Sequence, residues 1–162
     1  MSNPTAIITK LEDCPDWLDR MLAIAYWKAE YYLELQDLKG DCNILFQFEV
    51  WSEALELYLK KWDIQTFAII TAFNPESALL LLAENLRRHA ALRESLAPHC
   101  RMLLNSTGQN ADGSWQEQGF WALDIDLAKA AEIGTEFGQS AIVCWKRNEP
   151  VELWWLSTKP VS

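Results

Sequence analysis

The sequence predicts an α+β fold: a single compact domain with a mixed or mostly antiparallel sheet and about four helices packed on it. Three observations carry this expectation. Segments of helical period and of strand period are interspersed along the chain and joined by several hairpin connections, which favours antiparallel or mixed pairing over a doubly wound sheet. The run Phe67, Ala68, Ile69, Ile70, Thr71, Ala72, Phe73 is apolar on both faces, as in a central strand covered on each side. A chain of 162 residues with 50% hydrophobic content supplies one real core rather than two domains or a disordered tail.

Residues 1–14 show no clear period and read as a loosely ordered lead-in to a single domain over residues 15–162. Pro15 suits the first turn of a helix, and Trp17, Leu18, Met21, Leu22 and Ala25 recur at helical spacing to about Lys28. From Tyr31 the period becomes two, with Tyr31, Leu33 and Leu35 on one face. Lys39, Gly40 and Asp41 then supply turn chemistry before a strand at residues 44–48, which makes a hairpin. Ser52 can accept a hydrogen bond from the exposed amides of a short helix running through Leu59. After the central strand, a long helix is expected from about Pro75 to Leu96, where Pro98 stops it. Residues 101–104 read as a strand and 106–113 as a polar loop. Beyond Trp115, Phe120, Ala122 and Asp124 alternate with Trp121, Leu123 and Ile125 in another strand. Asp126 can cap the next helix, and Gly138 can close it in a left-handed conformation that other residues adopt at a cost. Two strands, at residues 141–145 and 151–156, end the chain, and no internal repeat or low-complexity tract is found.

Composition excludes several function classes. A formal net charge of -9 argues against nucleic-acid partners, because tracking phosphates needs clustered Lys and Arg. No apolar run reaches the ~20 residues that span a bilayer. The first ten residues lack a basic region followed by a long apolar core, so a cytoplasmic location and no membrane partner are expected. Cys14, Cys42, Cys100 and Cys144 are scattered without a Cys-x-x-Cys pair and read as buried, reduced thiols. Neither a metal site nor a cofactor signature is expected.

Five groups of residues occur in a particular order and spacing. They are Ala25 and Tyr26 with Tyr31; Thr71, Ala72, Phe73, Asn74 and Pro75; Glu84 and Asn85 with Arg88; Asp112, Gly113, Trp115 and Glu117; and Phe137, Gly138, Gln139 and Ala141. This ordered set resembles the bacterial domain-of-unknown-function family numbered thirty-two ninety-three, from about residue 20 to the end. That family typically has Trp where Phe73 stands, and its loop before Trp115 varies. The resemblance implies a compact α/β domain of unassigned activity and supplies no mechanism.

The residues themselves point to a site where the central strand ends. Ala78, Leu82, Asn85, His89, Leu92 and Leu96 share one face of the expected helix, so two polar side chains sit on an apolar stripe. Burying an unpaired amide costs roughly 1–3 kcal/mol, so Asn85 is either a satisfied core amide or a ligand-binding one. His89 reads as structural. Asn74 before Pro75 is either a helix cap or part of an anion- or carbonyl-binding helix start. Glu84 and Arg88 stand at helix-pair spacing; as a solvated pair they contribute ~0.3–0.5 kcal/mol, and beside a pocket Arg88 can hold a carboxylate. Trp115 and Glu117 beyond the Asp112 turn can form a lid and a carboxylate, and Thr71 is a β-forming residue at the same strand end. Among nine tryptophans, Trp154 and Trp155 place neighbouring indoles on opposite faces of one strand, which suits a protein interface if either is exposed. Three function classes follow. The first is a domain binding a small polar ligand around Asn74 and Asn85 through Thr71, Glu84, Arg88, Trp115 and Glu117. The second is a protein-interaction module using the C-terminal hairpin. The third is a carboxylate-dependent enzyme in which Glu117 acts beside Glu84.

Overall fold

The computed structural model describes residues 7–8, 20–35, 43–48, 52–75 and 78–156. In chain order the elements are β1 (Ile7–Ile8), α1 (Arg20–Lys28), β2 (Glu30–Glu34), β3 (Asn43–Phe46), α2 (Glu53–Lys61), β4 (Thr66–Thr71), α3 (Leu82–Leu96), β5 (Met102–Gln109), β6 (Gln116–Leu123), α4 (Leu127–Glu136), β7 (Ala141–Lys146) and β8 (Glu152–Trp155). The strands form one sheet in the order β1-β8-β7-β4-β6-β5-β2-β3. Every pairing between neighbours is antiparallel. The fold is therefore α+β, with an antiparallel sheet between two layers of helix.

Strand alternation sorts the core into two halves. Phe67 and Ile69 of β4, Trp121 of β6, Val143 of β7 and Trp155 of β8 face Leu55, Tyr58 and Leu59 of α2, with Tyr26 and Trp27 of α1 packed against them. On the opposite face, Ala68, Ile70, Phe120, Ala122 and Ile142 meet Leu92 and Leu96 of α3 and Ala130, Ala131 and Ile133 of α4. Helices thus cover both sides of β4, which explains why its sequence is apolar throughout. Ser52 caps α2 by accepting from the Leu55 amide, Asp126 caps α4 by accepting from the Ala128 amide, and Gly138 follows α4 with φ 72°. These local devices and the β2–β3 and β7–β8 hairpins stand where the sequence places them.

Three expectations change. The helix expected from Pro75 begins only at Leu82. Asn74 takes φ 48°, in the left-handed region that Asn tolerates better than most residues, and Pro75 after it lies in a 3-10 turn rather than in an α-helix. Residues 78–81 then run without regular structure, with Leu79 and Leu81 at 88% and 82% exposure. Of the expected stripe, Asn85, Leu92 and Leu96 are buried, whereas Leu82 is exposed and Ala78 lies outside the helix. The loop expected at 106–113 is shorter, because β5 continues to Gln109 and pairs with both β2 and β6. Ser106 and Gly108 face inward while Asn105 faces out, so a polar stretch is a half-solvated strand. Finally, Ile7–Ile8 within the expected lead-in pair with β8; the rest of that segment, the start of the first helix at Pro15, the turn around Gly40, and Cys14 and Cys42 lie outside the described residues.

Candidate functional site

The sheet register builds a cleft on the face covered by α1 and α2. One row across three strands reads Tyr31 in β2, Gly108 in β5 and Glu117 in β6; the next reads Leu33, Ser106, Gly119 and, on β4, Thr71. Two strand spacings put the backbones of Tyr31 and Glu117 about 10 Å apart. Gly108 between them has no side chain to fill that interval. A Cβ added there would stand 3.3 Å from Tyr31 Cε1 and 4.0 Å from Trp115 Cη2, so the two rings flank the glycine. The result is a cleft of about 40 Å³. A single water needs roughly 10–15 Å³ by this measure, so the space takes a few water-sized groups. Tyr26, Tyr31 and Trp115 line it together with Ile69, Val143 and Leu153, and Glu117 is the one charged side chain among the described lining residues.

Glu117 is held by a chain of amides that begins on the other face of the sheet. Asn85, only 4% exposed on α3, accepts the Asn74 backbone amide on Oδ1 at 2.9 Å and donates from Nδ2 to Asn74 Oδ1 at 2.9 Å. Asn74 Oδ1 also accepts the Leu80 amide at 3.0 Å. Asn74 Nδ2 then donates to Glu117 Oε2 at 2.9 Å, and Trp115 Nε1 donates to the same oxygen at 3.1 Å. The Asn74 turn is itself clamped. Arg88 donates through Nε to the Ala72 carbonyl at 2.9 Å and through its terminal nitrogen to the Phe137 carbonyl. Gln139 Nε2 donates to the Phe73 carbonyl at 3.1 Å, and Thr71 Oγ1 accepts the Phe73 amide at 3.0 Å while donating to the Gln118 carbonyl at 2.7 Å. On the far side, Asn110 accepts the Trp115 amide on Oδ1 at 3.0 Å and Asp112 accepts the Ser114 amide at 2.9 Å, so the turn before β6 fixes the indole.

Burial pushes the Glu117 carboxyl above the ordinary range, and the hydrogen bonds from Asn74 and Trp115 counter this only in part. Burial likewise raises the Tyr31 phenol, with the neighbouring Tyr26 and Glu117 adding to the effect. A raised carboxyl pKa means that the protonated form is the one the fold favours. That advantage is fully present below the ordinary carboxyl value and is lost as pH rises through the higher folded value. Glu117→Gln, which keeps the shape and an acceptor oxygen, is therefore expected to melt above the parent at about pH 8, with the gap closing toward about pH 4. Thermal unfolding across that range checks it; a gap that widens on acidification would contradict the sign.

Of the residues singled out in the sequence, Thr71, Trp115 and Glu117 line the cleft. Asn74 and Asn85 converge on it from behind as amides bonded to each other, and Arg88 donates to backbone carbonyls. The expected Glu84–Arg88 pair does not form: Glu84 instead pairs with exposed Arg87, three residues on, and does not line the cleft. Asn74 is not the cap of the long helix either, since α3 starts at Leu82; Pro75 instead lies in a 3-10 turn, with the Ala78 amide donating to its carbonyl. His89 stacks on Phe120 at 4.2 Å, and burial lowers its pKa. Trp155 is buried and meets Tyr26 edge to face, while Trp154 is half-buried against the second core half, so neither presents a free indole. Cys144 is buried and Cys100 half-buried, both as free thiols. Sequence reasoning missed Gly108, Gly119 and Ser106 as the floor of the cleft and Tyr31 as its far wall. An isolated glycine inside a strand marks close approach, and that signal was available at Gly119.

Residues 70–142 match the model of a family described as a protein of unknown function, DUF3293. The resemblance read from the ordered residues holds over that span, which includes the Asn74 turn, Asn85, Arg88, Trp115 and Glu117. No curated protein and no solved structure matches the chain. Among the described residues no helix is long and apolar enough to cross a membrane.

Proposed function

We propose that this domain binds a small polar ligand in the cleft between Tyr31 and Glu117. Asn74 and Asn85 hold the carboxylate in place and do not touch the ligand themselves. One observation carries the reading: both hydrogen bonds that Glu117 receives land on Oε2, so among the described residues Oε1 has no donor in a cleft walled mostly by apolar and aromatic side chains, with the hydroxyls of Thr71 and Ser106 beside them. A carboxyl group kept where burial disfavours its charge costs stability, and such perturbed groups concentrate in binding and catalytic clefts. The enzyme reading loses its second carboxylate, since Glu84 faces solvent beside Arg87.

A thermal-shift screen against amino acids, amines, sugars and nucleotides tests the proposal. A ligand at 100 times its dissociation constant stabilises by ~2.7 kcal/mol, which at this chain length raises the melting temperature by roughly 5–10 °C. Trp115→Ala should abolish that rise while leaving the unliganded protein folded, because the indole lies on a turn rather than in either core half. An equal rise in parent and Trp115→Ala would move the ligand elsewhere.

A further inference from the structure

We infer that the cleft takes an organic cation, the ammonium head of a small amine, with Glu117 as its counter-charge. The inference rests on the reading of the cleft as a ligand site and names the chemistry that site selects.

Charge decides first. Glu117 is the sole charged lining group among the described residues, and Arg88, which clamps the Asn74 turn, does not line the cleft and donates to the Ala72 and Phe137 carbonyls. An anion entering the cleft would meet a carboxylate with nothing to offset it, whereas an ammonium would find Oε1 free to accept. The net charge of -9 also favours approach of cations over anions.

The walls decide next. Tyr26, Tyr31 and Trp115 line the cleft with the carboxylate, and aromatic rings attract a desolvated cation through their negative faces while accepting its methylene or methyl groups. A metal ion would not suit the same walls. Divalent cations require several oxygen or nitrogen ligands, and among the described residues no three His, Cys, Asp or Glu side chains come together. Size excludes larger ligands: a cleft of about 40 Å³ admits a head group, with any longer tail left in the opening.

Binding an ammonium would also reverse the burial effect on Glu117, since an adjacent positive charge favours the ionised carboxylate. Affinity should therefore rise with pH as the free protein's Glu117 ionises, as long as the amine stays protonated.

The test follows the Trp115 indole N–H resonance, assigned by its loss in Trp115→Phe, during titration with n-butylammonium, n-butanol and butyrate. The three probes share one alkyl chain and differ in charge. Butylammonium is expected to bind about tenfold or more tightly than butanol, in keeping with a charge-assisted hydrogen bond. Butyrate should leave the resonance unmoved, and Glu117→Gln should remove the preference for the ammonium. Equal or tighter binding of butanol or butyrate would overturn the cation assignment and leave the cleft as a ligand site for another class. Silence from all three would also overturn it, and the thermal-shift screen would then judge the cleft independently.

Discussion

Asn74→Ala is expected to lose about 3 kcal/mol of stability, a fall in melting temperature of roughly 6–12 °C for a chain of this size. Two independent losses add. The side chain accepts the Leu80 amide and the Asn85 Nδ2 donor and itself donates to Glu117. Leu80 is half-exposed and water can replace its partner, but Asn85 is buried and its amide would be stranded. A stranded buried donor costs about 1–3 kcal/mol. The backbone at φ 48° adds a further ~1–2 kcal/mol for a residue with a Cβ and no local side-chain hydrogen bond to compensate. Asn74→Gly separates the two terms, because glycine adopts the left-handed region freely and removes only the hydrogen bonds. Chemical denaturation of both variants checks this: Gly should retain more stability than Ala. Equal losses would mean that the turn conformation contributes nothing, and no loss in either would remove Asn74 as the link between α3 and Glu117.

How far the sequence reveals this site depends on whether the controlling contacts are local. Ser52, Asp126 and Gly138 act within one helical turn of themselves, and each stands where a reading of neighbouring residues puts it. The apolar run of β4 announces burial on both faces because the cause, a helix layer on each side, acts on every residue of the strand. Asn74 is different. Asn before Pro satisfies the local rules for a helix start, and what overrides them is a reciprocal pair of hydrogen bonds with Asn85, eleven residues on. The end of β5 misled for a related reason. Asn105 faces solvent and donates to Glu34 on β2, so the stretch resembles a loop although its partners on β2 and β6 are in register. The cleft is the least legible feature. Tyr31, Gly108 and Glu117 become neighbours only through two strand registers, and no spacing within the chain encodes that row.

Gly119→Ala should be the most damaging single-methyl change on the cleft floor, costing about 2–3 kcal/mol and abolishing ligand binding together. A Cβ at this position would lie 2.6 Å from the Ile70 carbonyl oxygen and 3.2 Å from Ser106 Oγ. The first contact is with backbone at the end of the β4–β6 ladder, where Ile70 pairs with Phe120 and Thr71 with Gly119 itself. That carbonyl can retreat only if the two strands part at this end, which would disturb the packing of the buried Ile70 and Phe120. Gly108→Ala provides the contrast, since its nearest contact is the Tyr31 ring at 3.3 Å, and a side chain can tip where a backbone cannot. It should cost under about 1 kcal/mol while narrowing the gap between Tyr31 and Glu117 enough to weaken binding. Melting temperature and the Trp115 indole titration, measured on the same preparations, separate the two effects. If Gly119→Ala melts with the parent, the close approach of β6 to Ile70 is not a structural constraint. If Gly108→Ala binds amines as well as the parent does, the space above that glycine is not where the ligand sits.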